Sequence, residues 1–372
     1  MRKEVSKIKV SSRSGLSRRS LVGAAGAAAL SAGTGFVPKK VFAQKKIALK
    51  YTLGWLAEGA NIYSYAAKQF WAKDGLEVTI EKGTGSAAAT QAIAQGQYQF
   101  GIPAAPNCIQ QAMKGLPLLS LGCFNYDTTM GVVVRPDSPI KAPADLKGKK
   151  IGSTMTSGEY PFLPAFLKNV GLAMGDIQSI SLDNKVREVA LIENQCDAIT
   201  CFVASALPKL MAANVNPRAF LYSKYGLPFY AHSLTTTPEY FAKEKSVCEA
   251  MTMGLAEGTK FALLKPQETI DILFKEVPEL KLASTAKEQL EIGMGVWSSN
   301  YVSREAMEKG VAWADPAVWA KMTDLVFSNS SAPGDKKPDS AALFNNDFVG
   351  KLKLSDDEWK KIKASSSKYA LG

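Results

Sequence analysis

The chain of 372 residues is long enough for about two domains of 100–200 residues, and its hydrophobic (46%) and charged (21%) fractions are ordinary for a soluble globular protein. The formal net charge is +11, but residues 1–43 hold nine Lys or Arg and one acid, which leaves 36 Lys or Arg and 33 acids for residues 44–372. A body so close to neutrality has no field that would bind phosphate, so the charge balance excludes nucleic acid as a partner.

Residues 1–43 have the order of an export signal. Arg18-Arg19 precedes an apolar run from Leu21 to Val37, and Val41-Phe42-Ala43 has the small-x-Ala pattern of a cleavage site. The paired arginines match a twin-arginine signal. The alternative is a membrane anchor, but 17 residues are fewer than the ~20 needed to span a bilayer. We therefore expect a cleaved signal and a periplasmic protein without a membrane span.

Strands alternate with helices in the next segment, which predicts parallel βαβ units. The predicted strands are 46–53, 76–80, 98–102, 116–123 and 130–135, and the helices between them are 61–73, 87–95 and a third that begins at 104. Three prolines between Pro136 and Pro143 mark an exposed connection, which we interpret as a crossing into a second lobe.

The second lobe repeats the pattern. Its predicted strands are 150–153, 178–182, 197–202 and 219–223, and its helices are 160–170, 186–194 and 204–213. Tyr225–Pro228 forms a second crossing, 229–236 is a returning strand, and the chain is helical from Pro238 onward. We expect an α/β protein with residues 44–136 and 228–372 in lobe 1, residues 137–227 in lobe 2, and a ligand cleft between two mainly parallel sheets.

Candidate ligand residues of lobe 1 follow predicted strands, and they are Trp55, Asn61, Thr84, Gly85, Ser86 and Asn107. An aromatic ring such as Trp55 stacks on planar ligands, although it also suits a core. Asn61 either caps its helix or points into the cleft. In Gly83–Ser86, glycine lets the backbone approach a ligand. The spacing matches no phosphate-binding fingerprint, which excludes nucleotide-binding folds.

The segment Asp145–Leu172 forms the expected second wall of the cleft. Pro161 and Pro164 belong in the first turn of a helix and place its start near Tyr160. This leaves four polar residues in the preceding loop: Thr154, Thr156, Ser157 and Glu159. Hydroxyl groups there suit an anionic or heteroaromatic ligand, whereas Glu159 disfavours a strong anion. The alternative is that Thr156 and Glu159 only cap the helix.

Further candidates lie at other strand ends of the second lobe and on the returning strand: Asn184, Phe202, Tyr230 and His232. Tyr230 and His232 alternate, so we expect both side chains on one face, in the cleft or in the core.

The cysteines and the single histidine limit the possible chemistry. Five Cys are an odd number without metal-binding spacing, and the ~16 Å reach between Cys196 and Cys201 along a strand is too long for a disulfide. We therefore expect buried free thiols. A zinc site or a Ser-His-Asp triad would have to use His232, so we expect no metal, no cofactor and no catalysis.

From about Lys46 to Val326 the chain resembles a family of periplasmic solute-binding proteins. That family includes sulfonate, nitrate and thiamine-pyrimidine-precursor binders, and it is related to the fungal thiamine-pyrimidine synthase. The resemblance lies in the order and spacing of Trp55, Ala66-Ala67-Lys68, Asp74–Val78, Gly83–Ser86, Ala94-x-Gly96, Ser138-Pro139-Ile140, Asp145–Gly152 and Asp197-Ala198-Ile199.

The resemblance implies a two-lobe type II periplasmic-binding-protein fold, a monomer, and delivery of a small molecule to an inner-membrane ABC permease. Tyr225–Tyr230 resembles the pyrimidine-precursor branch, which implies a planar heterocyclic or aromatic ligand. The alternatives are a binder of alkanesulfonate, taurine or nitrate, a pyrimidine-synthase-like enzyme, and a sensor. Asn61 stands where the synthase branch has a reactive His, and Cys201 stands alone where that branch has a cysteine cluster. His232 stands where some relatives place an acidic contact.

Overall fold

The computed structural model of this protein describes residues 46–371. These residues form two five-stranded sheets flanked by helices. The export signal predicted at residues 1–43 lies outside these residues. Between residues 46 and 371, no helix combines the length and the apolar character needed to cross a bilayer.

The strands of this region are short, and several are buried on both faces. In chain order they are β1 (Ile47–Leu53), β2 (Leu76–Glu81), β3 (Phe100–Ile102), β4 (Leu119–Cys123), β5 (Met130–Val134), β6 (Lys150–Ser153), β7 (Gln178–Ser181), β8 (Ala198–Phe202), β9 (Arg218–Leu221) and β10 (Ser233–Thr236).

Each sheet contains one strand that runs against the others. The first sheet has the order β2-β1-β3-β10-β4, and the second has the order β7-β6-β8-β5-β9. β1 pairs in parallel with β2 and β3, and β6 with β7 and β8, as βαβ units require. β10 and β5 pair antiparallel with both of their neighbours. The predicted two-lobe α/β fold with mainly parallel sheets is confirmed.

The first crossing between the sheets lies earlier than predicted. The sequence places the strand at 130–135 in lobe 1, but β5 pairs with β8 and β9 of the second sheet. The chain therefore passes between the sheets at residues 124–129, and the proline-rich segment lies beyond that passage. All five residues of β5 are buried. Such a continuous apolar run predicts a buried strand without indicating which sheet buries it.

Helices cover the faces of both sheets. They are α1 (Tyr63–Lys73), α2 (Ser86–Ala94), α3 (Ala105–Met113), α4 (Leu163–Asn169), α5 (Arg187–Ile192), α6 (Val203–Ala212), α7 (Pro238–Lys243), α8 (Lys245–Leu264), α9 (Pro266–Glu276), α10 (Ala286–Tyr301), α11 (Arg304–Lys309), α12 (Pro316–Ser330) and α13 (Asp356–Ser366). The segment predicted to be helical from Pro238 onward forms separate helices, α7 to α13.

The cysteines are buried free thiols, as predicted. Cys108 and Cys123 lie in elements of the first lobe, Cys248 lies in α8, and Cys196 and Cys201 lie at the two ends of the β8 region.

Helices α1 and α8 approach each other closely because α8 has glycine at two positions one turn apart. A Cβ atom on Gly258 would lie 2.7 Å from the Cα and N atoms of Ala67, and one on Gly254 would lie 2.3 Å from the indole of Trp71. The Trp71 indole N–H also donates to the Met251 carbonyl at 2.9 Å. This contact attaches α1 to the helical layer and so fixes the helix that follows the loop of Trp55.

We predict that Gly258→Ala destabilises the protein by about 1–3 kcal/mol, because the new methyl group meets backbone atoms that cannot rotate away. Helix propensity alone would make the Gly258→Ala protein more stable by about 1 kcal/mol. The expected change in the free energy of unfolding therefore has the opposite sign to the change that propensity predicts. Urea unfolding followed by circular dichroism measures the difference. Glu257→Ala, a half-exposed position on the same helix, is the control. A Gly258→Ala protein as stable as the wild type would contradict this packing.

Candidate ligand-binding cleft

A narrow cavity lies where loops from the carboxyl ends of both sheets meet. Its lining comes from the loop after β1, the start of α2, the first crossing, the loop after β6, the start of α6 and the segment before β10. The residues that line it are Gly54, Trp55, Glu58, Ala60, Ser86, Asn125, Thr128, Thr129, Ser157, Gly158, Phe202, Ala204, Ser205, Ala231 and His232. The centre of a water molecule fits in only about 20 Å³ of this cavity, so the two lobes are closed on each other.

Backbone and hydroxyl contacts hold the two walls together. Thr156 Oγ1 donates to the Thr84 carbonyl at 2.8 Å, and Asn107 Nδ2 donates to the Gly158 carbonyl at 3.1 Å. Gly85, with φ of +150°, lies so close to the opposite loop that a Cβ atom there would be 1.8 Å from the Thr156 carbonyl oxygen. The Gly83–Ser86 loop of the first lobe therefore contacts the hydroxyl-rich loop of the second lobe.

An arginine of the second lobe covers the tryptophan of the first. The Arg187 guanidinium carbon lies 4.9 Å from the centre of the Trp55 ring, and both side chains are buried. A guanidinium on an indole face is a favourable cation–π contact, stronger when water is excluded. The Trp55 Nε1–H is buried and has no acceptor among residues 46–371.

Arg187 is held by two buried carboxyl groups. Glu188 Oε1 lies 2.5 Å from Nη2 and 3.1 Å from Nε, and Glu159 Oε1 lies 3.7 Å from Nη1. Lys209 Nζ lies 3.4 Å from the other oxygen of Glu188. Burial alone would raise the pKa of Glu188, but Arg187 and Lys209 outweigh it and hold that pKa below its ordinary value. Both cations behind the second wall are thus neutralised by carboxylates.

Glu159 lies under the hydroxyl-rich loop instead of facing the cavity. Its side chain is fully buried, and it accepts hydrogen bonds from Ser157 Oγ and from Thr200 Oγ1, the latter at 3.2 Å. Burial raises the pKa of Glu159, and Arg187 opposes the rise. The expectation that Glu159 projects from the loop is wrong, since Arg187 needs a counter-charge inside the lobe.

The turn after this loop begins where the prolines predicted. A 3₁₀ turn at Tyr160–Phe162 precedes α4. Pro161 lies in the first turn of the 3₁₀ segment, and Pro164 lies in the first turn of α4. Of the remaining loop residues, Thr154 is buried with a hydroxyl that has no partner in the described chain, and Ser157 lines the cavity.

His232 lines the cavity as a neutral ring. Its Nδ1 lies 2.9 Å from the hydroxyl of Tyr63, and burial lowers the pKa of His232 to about 4. Tyr63 is fully buried, so its hydroxyl hydrogen needs an acceptor, and Nδ1 is the one within reach. This places the imidazole proton on Nε2, where it is a donor for the cavity.

Besides Glu159, three further predicted site residues make contacts outside the cavity. Tyr230 is buried among aromatic rings, and its hydroxyl contacts Glu305 and the Asp315 N–H, both at 3.4 Å. It does not share a face with His232, because regular pairing begins only at Ser233 and strand alternation does not hold before it.

Asn61 and Asn184 are the other two. The Asn61 amide donates to the Leu56 carbonyl at 2.8 Å and accepts from the Glu58 N–H at 3.2 Å, so it serves its own loop. Asn184 is buried in the turn before α5 and does not line the cavity.

Sequence reasoning missed Glu58, Arg187 and Thr129. Glu58 accepts a hydrogen bond from Ser205 of the other lobe, and burial raises the pKa of Glu58 to about 7. Thr129, in the first crossing, has φ of +52°, a strained conformation for a β-branched residue, and its carbonyl accepts from the Val203 N–H at 2.8 Å. Gly83–Ser86 was selected because it lies between a strand and a helix. Arg187 begins α5 after β7, so the same rule could have identified it.

Two α/β lobes that close on an aromatic and polar cleft have the fold of periplasmic binding proteins. The alkanesulfonate-binding protein of Xanthomonas axonopodis is a solved structure with this fold, with a TM-score of 0.59 and 16% identity over 82% of this chain and 99% of that chain. The sequence model of the NMT1/THI5-like family matches residues 57–269, more than half of the chain, so this protein belongs to that family. The resemblance found in the sequence is confirmed.

Proteins similar to this chain carry names of two kinds, biosynthetic and binding. A putative thiamine biosynthesis protein of Haemophilus influenzae is 28% identical over 61% of this chain and 72% of its own. A formylaminopyrimidine-binding protein of Halalkalibacterium halodurans is 22% identical over 72% of this chain and 84% of its own. A 4-amino-5-hydroxymethyl-2-methylpyrimidine phosphate synthase of Uromyces fabae is 27% identical but matches only 39% of this chain.

We predict that Gly85→Ala holds the lobes apart, because the closed arrangement leaves no space for a methyl group against the Thr156 carbonyl. Small-angle X-ray scattering should give a larger radius of gyration, with unchanged circular dichroism. Gly75→Ala is the matched control, since Gly75 also has positive φ (+76°) but no atom lies within 4 Å of its added Cβ. A Gly85→Ala scattering curve identical to that of the wild type would contradict the closed contact.

We predict a pH dependence of stability that originates at Glu58. The folded protein holds the Glu58 proton up to a pKa of about 7, whereas the exposed carboxyl releases it near 4.5. The contribution of Glu58 to the free energy of unfolding is therefore full below pH 4.5 and is lost as the pH rises to about 7. In urea titrations between pH 4 and 8, Glu58→Gln should remove this loss and Glu257→Gln should not. Equal slopes for wild type and Glu58→Gln would refute it.

Proposed function

We propose that this protein is the periplasmic substrate-binding component of an ABC importer and that it captures a small planar nitrogen heterocycle in the interlobe cleft. The observation that carries the proposal is the charge of the cleft. Its walls combine aromatic rings with neutral hydrogen-bonding groups and, within the described residues, no unpaired cation. Membership of the NMT1/THI5-like family and the name of the formylaminopyrimidine-binding relative support the same ligand class.

Charge distinguishes this ligand class from sulfonates and nitrate. Glu58 and His232 are the only titratable side chains in the cavity lining, and His232 is neutral at pH 7 because its pKa is near 4. The nearest cations, Arg187 and Lys209, are bound to Glu188. An anion that entered the cleft would lose its hydration and find no uncompensated positive charge in return. A neutral or basic ligand meets no such penalty.

The hydrogen-bonding groups suit a ring that both donates and accepts. The Trp55 Nε1–H, which has no acceptor among residues 46–371, and the His232 Nε2–H are donors in the lining, and the hydroxyl oxygens of Ser86 and Ser157 there can accept. Unsatisfied buried polar atoms cost about 1–3 kcal/mol each, so a ligand that pairs with them recovers that energy. Trp55 from the first lobe and Phe202 from the second supply aromatic faces for its plane.

A ring of this kind requires the lobes to open and close again. The two passages between the sheets, 124–129 and the segment from Tyr225 to His232, are the proposed hinges. On this basis lobe 1 comprises the residues of the first sheet up to Cys123 and from Ser233 onward, and lobe 2 comprises residues 130–221. The open protein would load in the periplasm, after export directed by residues 1–43, and would deliver its ligand as a monomer to the permease.

Synthase activity has less support. The synthase relatives match less than half of this chain, and Asn61, which stands at the position of the expected reactive His, is used by its own loop.

We predict that 4-amino-5-hydroxymethyl-2-methylpyrimidine and its N-formyl-aminomethyl analogue raise the melting temperature, whereas taurine, ethanesulfonate and nitrate do not. Trp55→Ala should weaken pyrimidine binding about tenfold or more, and Trp55→Phe should retain most of it, because stacking needs an aromatic face. Isothermal titration calorimetry measures both, with Trp313→Phe as the control away from the cleft. Stabilisation by sulfonates or nitrate alone would eliminate the heterocycle.

A further inference from the structure

A second pocket adjoins the cleft and is much larger than it. This side pocket offers about 220 Å³ to the centres of water molecules, against about 20 Å³ in the cleft. Its walls are mainly apolar and come from both lobes: Leu56, Ala57, Leu280 and Leu290 from the first, and Ala204 and Pro208 from the second. Because both lobes build it, the side pocket has this shape only when they are closed.

Glu58 and Ser205 separate the two spaces. Both residues, together with Ala204, line the cleft and the side pocket at once. Ser205 Oγ donates to Glu58 Oε1 across the lobe boundary. Rotation of these two short groups away from each other would join the cleft and the side pocket into one continuous site.

Glu58 has no ion-pair partner among residues 46–371. The two lysines of the side pocket are engaged by other carboxylates: Lys209 lies 3.4 Å from Glu188, and Lys82 lies 2.6 Å from Glu279. A half-buried carboxyl group between the polar cleft and the apolar side pocket, with only a hydroxyl partner among the described residues, favours a positively charged group beside it.

We propose, on the basis of the binding function above, that the natural ligand is longer than one ring. Its planar head occupies the cleft, a basic nitrogen pairs with Glu58, and an apolar arm lies in the side pocket. The ligand class is a heteroaryl-methylamine with an apolar substituent on the nitrogen. Such a ligand contacts both lobes at two places and thereby favours closure more than the head alone.

Calorimetry with three matched probes tests this ligand class. The probes are 4-amino-5-hydroxymethyl-2-methylpyrimidine, its 5-aminomethyl analogue, and the N-benzyl derivative of that amine. We expect the ammonium group to improve affinity roughly tenfold through a charge-assisted hydrogen bond to Glu58. We expect the benzyl group to add roughly another tenfold by burying apolar surface.

Two variants assign these gains to the proposed residues. Glu58→Gln should abolish the gain from the ammonium group, measured within that variant as the ratio of its affinities for the aminomethyl and hydroxymethyl probes. Ala283→Phe fills the side pocket from an exposed position and should abolish only the gain from the benzyl group. Ser284→Phe, an exposed neighbour that does not line the side pocket, is the control and should bind all three probes as the wild type does.

The outcomes distinguish this inference from the function on which it depends. Equal affinities for the three probes, or gains that survive both variants, would overturn the longer ligand and leave the heterocycle-binding function standing. Binding of none of the probes by a protein that binds taurine or nitrate would overturn both.

Discussion

The closed arrangement of the lobes depends on the charge balance around Arg187. This guanidinium is 1% exposed, covers Trp55 of the other lobe, and is balanced by Glu188 and Glu159 from within its own lobe. Removal of one partner from a buried ion pair costs about 3–5 kcal/mol because the remaining charge is uncompensated. Among residues 46–371, the same balance leaves the cleft without free positive charge. One electrostatic constraint therefore governs both the contact between the lobes and the ligands that they accept.

The topology places the loops that carry this balance opposite one another. In each sheet the parallel strands end at the cleft, so the segments that follow β1, β2, β6 and β8 converge there. The two antiparallel strands, β5 and β10, are those that arrive from the other sheet. Each passage between the sheets therefore runs beside the cleft, and its residues, including Thr129 and His232, line the cavity. A rearrangement of either passage would therefore move residues that contact a bound ligand.

Local sequence rules predicted the strand-end loops but not the long-range partners of their side chains. Trp55, Ser86, Ser157, Phe202 and His232 were predicted from their positions after or within strands, and the cavity includes all five. Thr84, Gly85, Thr156 and Asn107 lie at the contacts between the walls. These placements follow from the alternation of strands and helices, a local pattern that can be recognised directly in the sequence.

The misplaced residues show what such rules lack. Glu159 lies in the loop as expected, but its side chain does not reach the cavity, because it pairs with Arg187, nearly thirty residues further along the chain. Tyr230 was assigned to the cleft because alternation was extended beyond the regular strand, and β5 was assigned to the wrong sheet because a wholly apolar strand fits either. In each example the deciding partner is distant in sequence, and no local pattern identifies it.

The buried cysteines give the protein internal reporters of local opening. A thiol reagent reaches such a side chain only after the surrounding structure has opened, so its rate of labelling measures the free energy of that opening. Burial also raises the pKa of Cys123 and Cys201, which keeps the reactive thiolate scarce in the closed fold. Cys123 ends a strand of the first sheet and Cys201 lies in β8 of the second. The native chain thus carries, without any added label, chemical probes of fluctuation in both halves of the molecule.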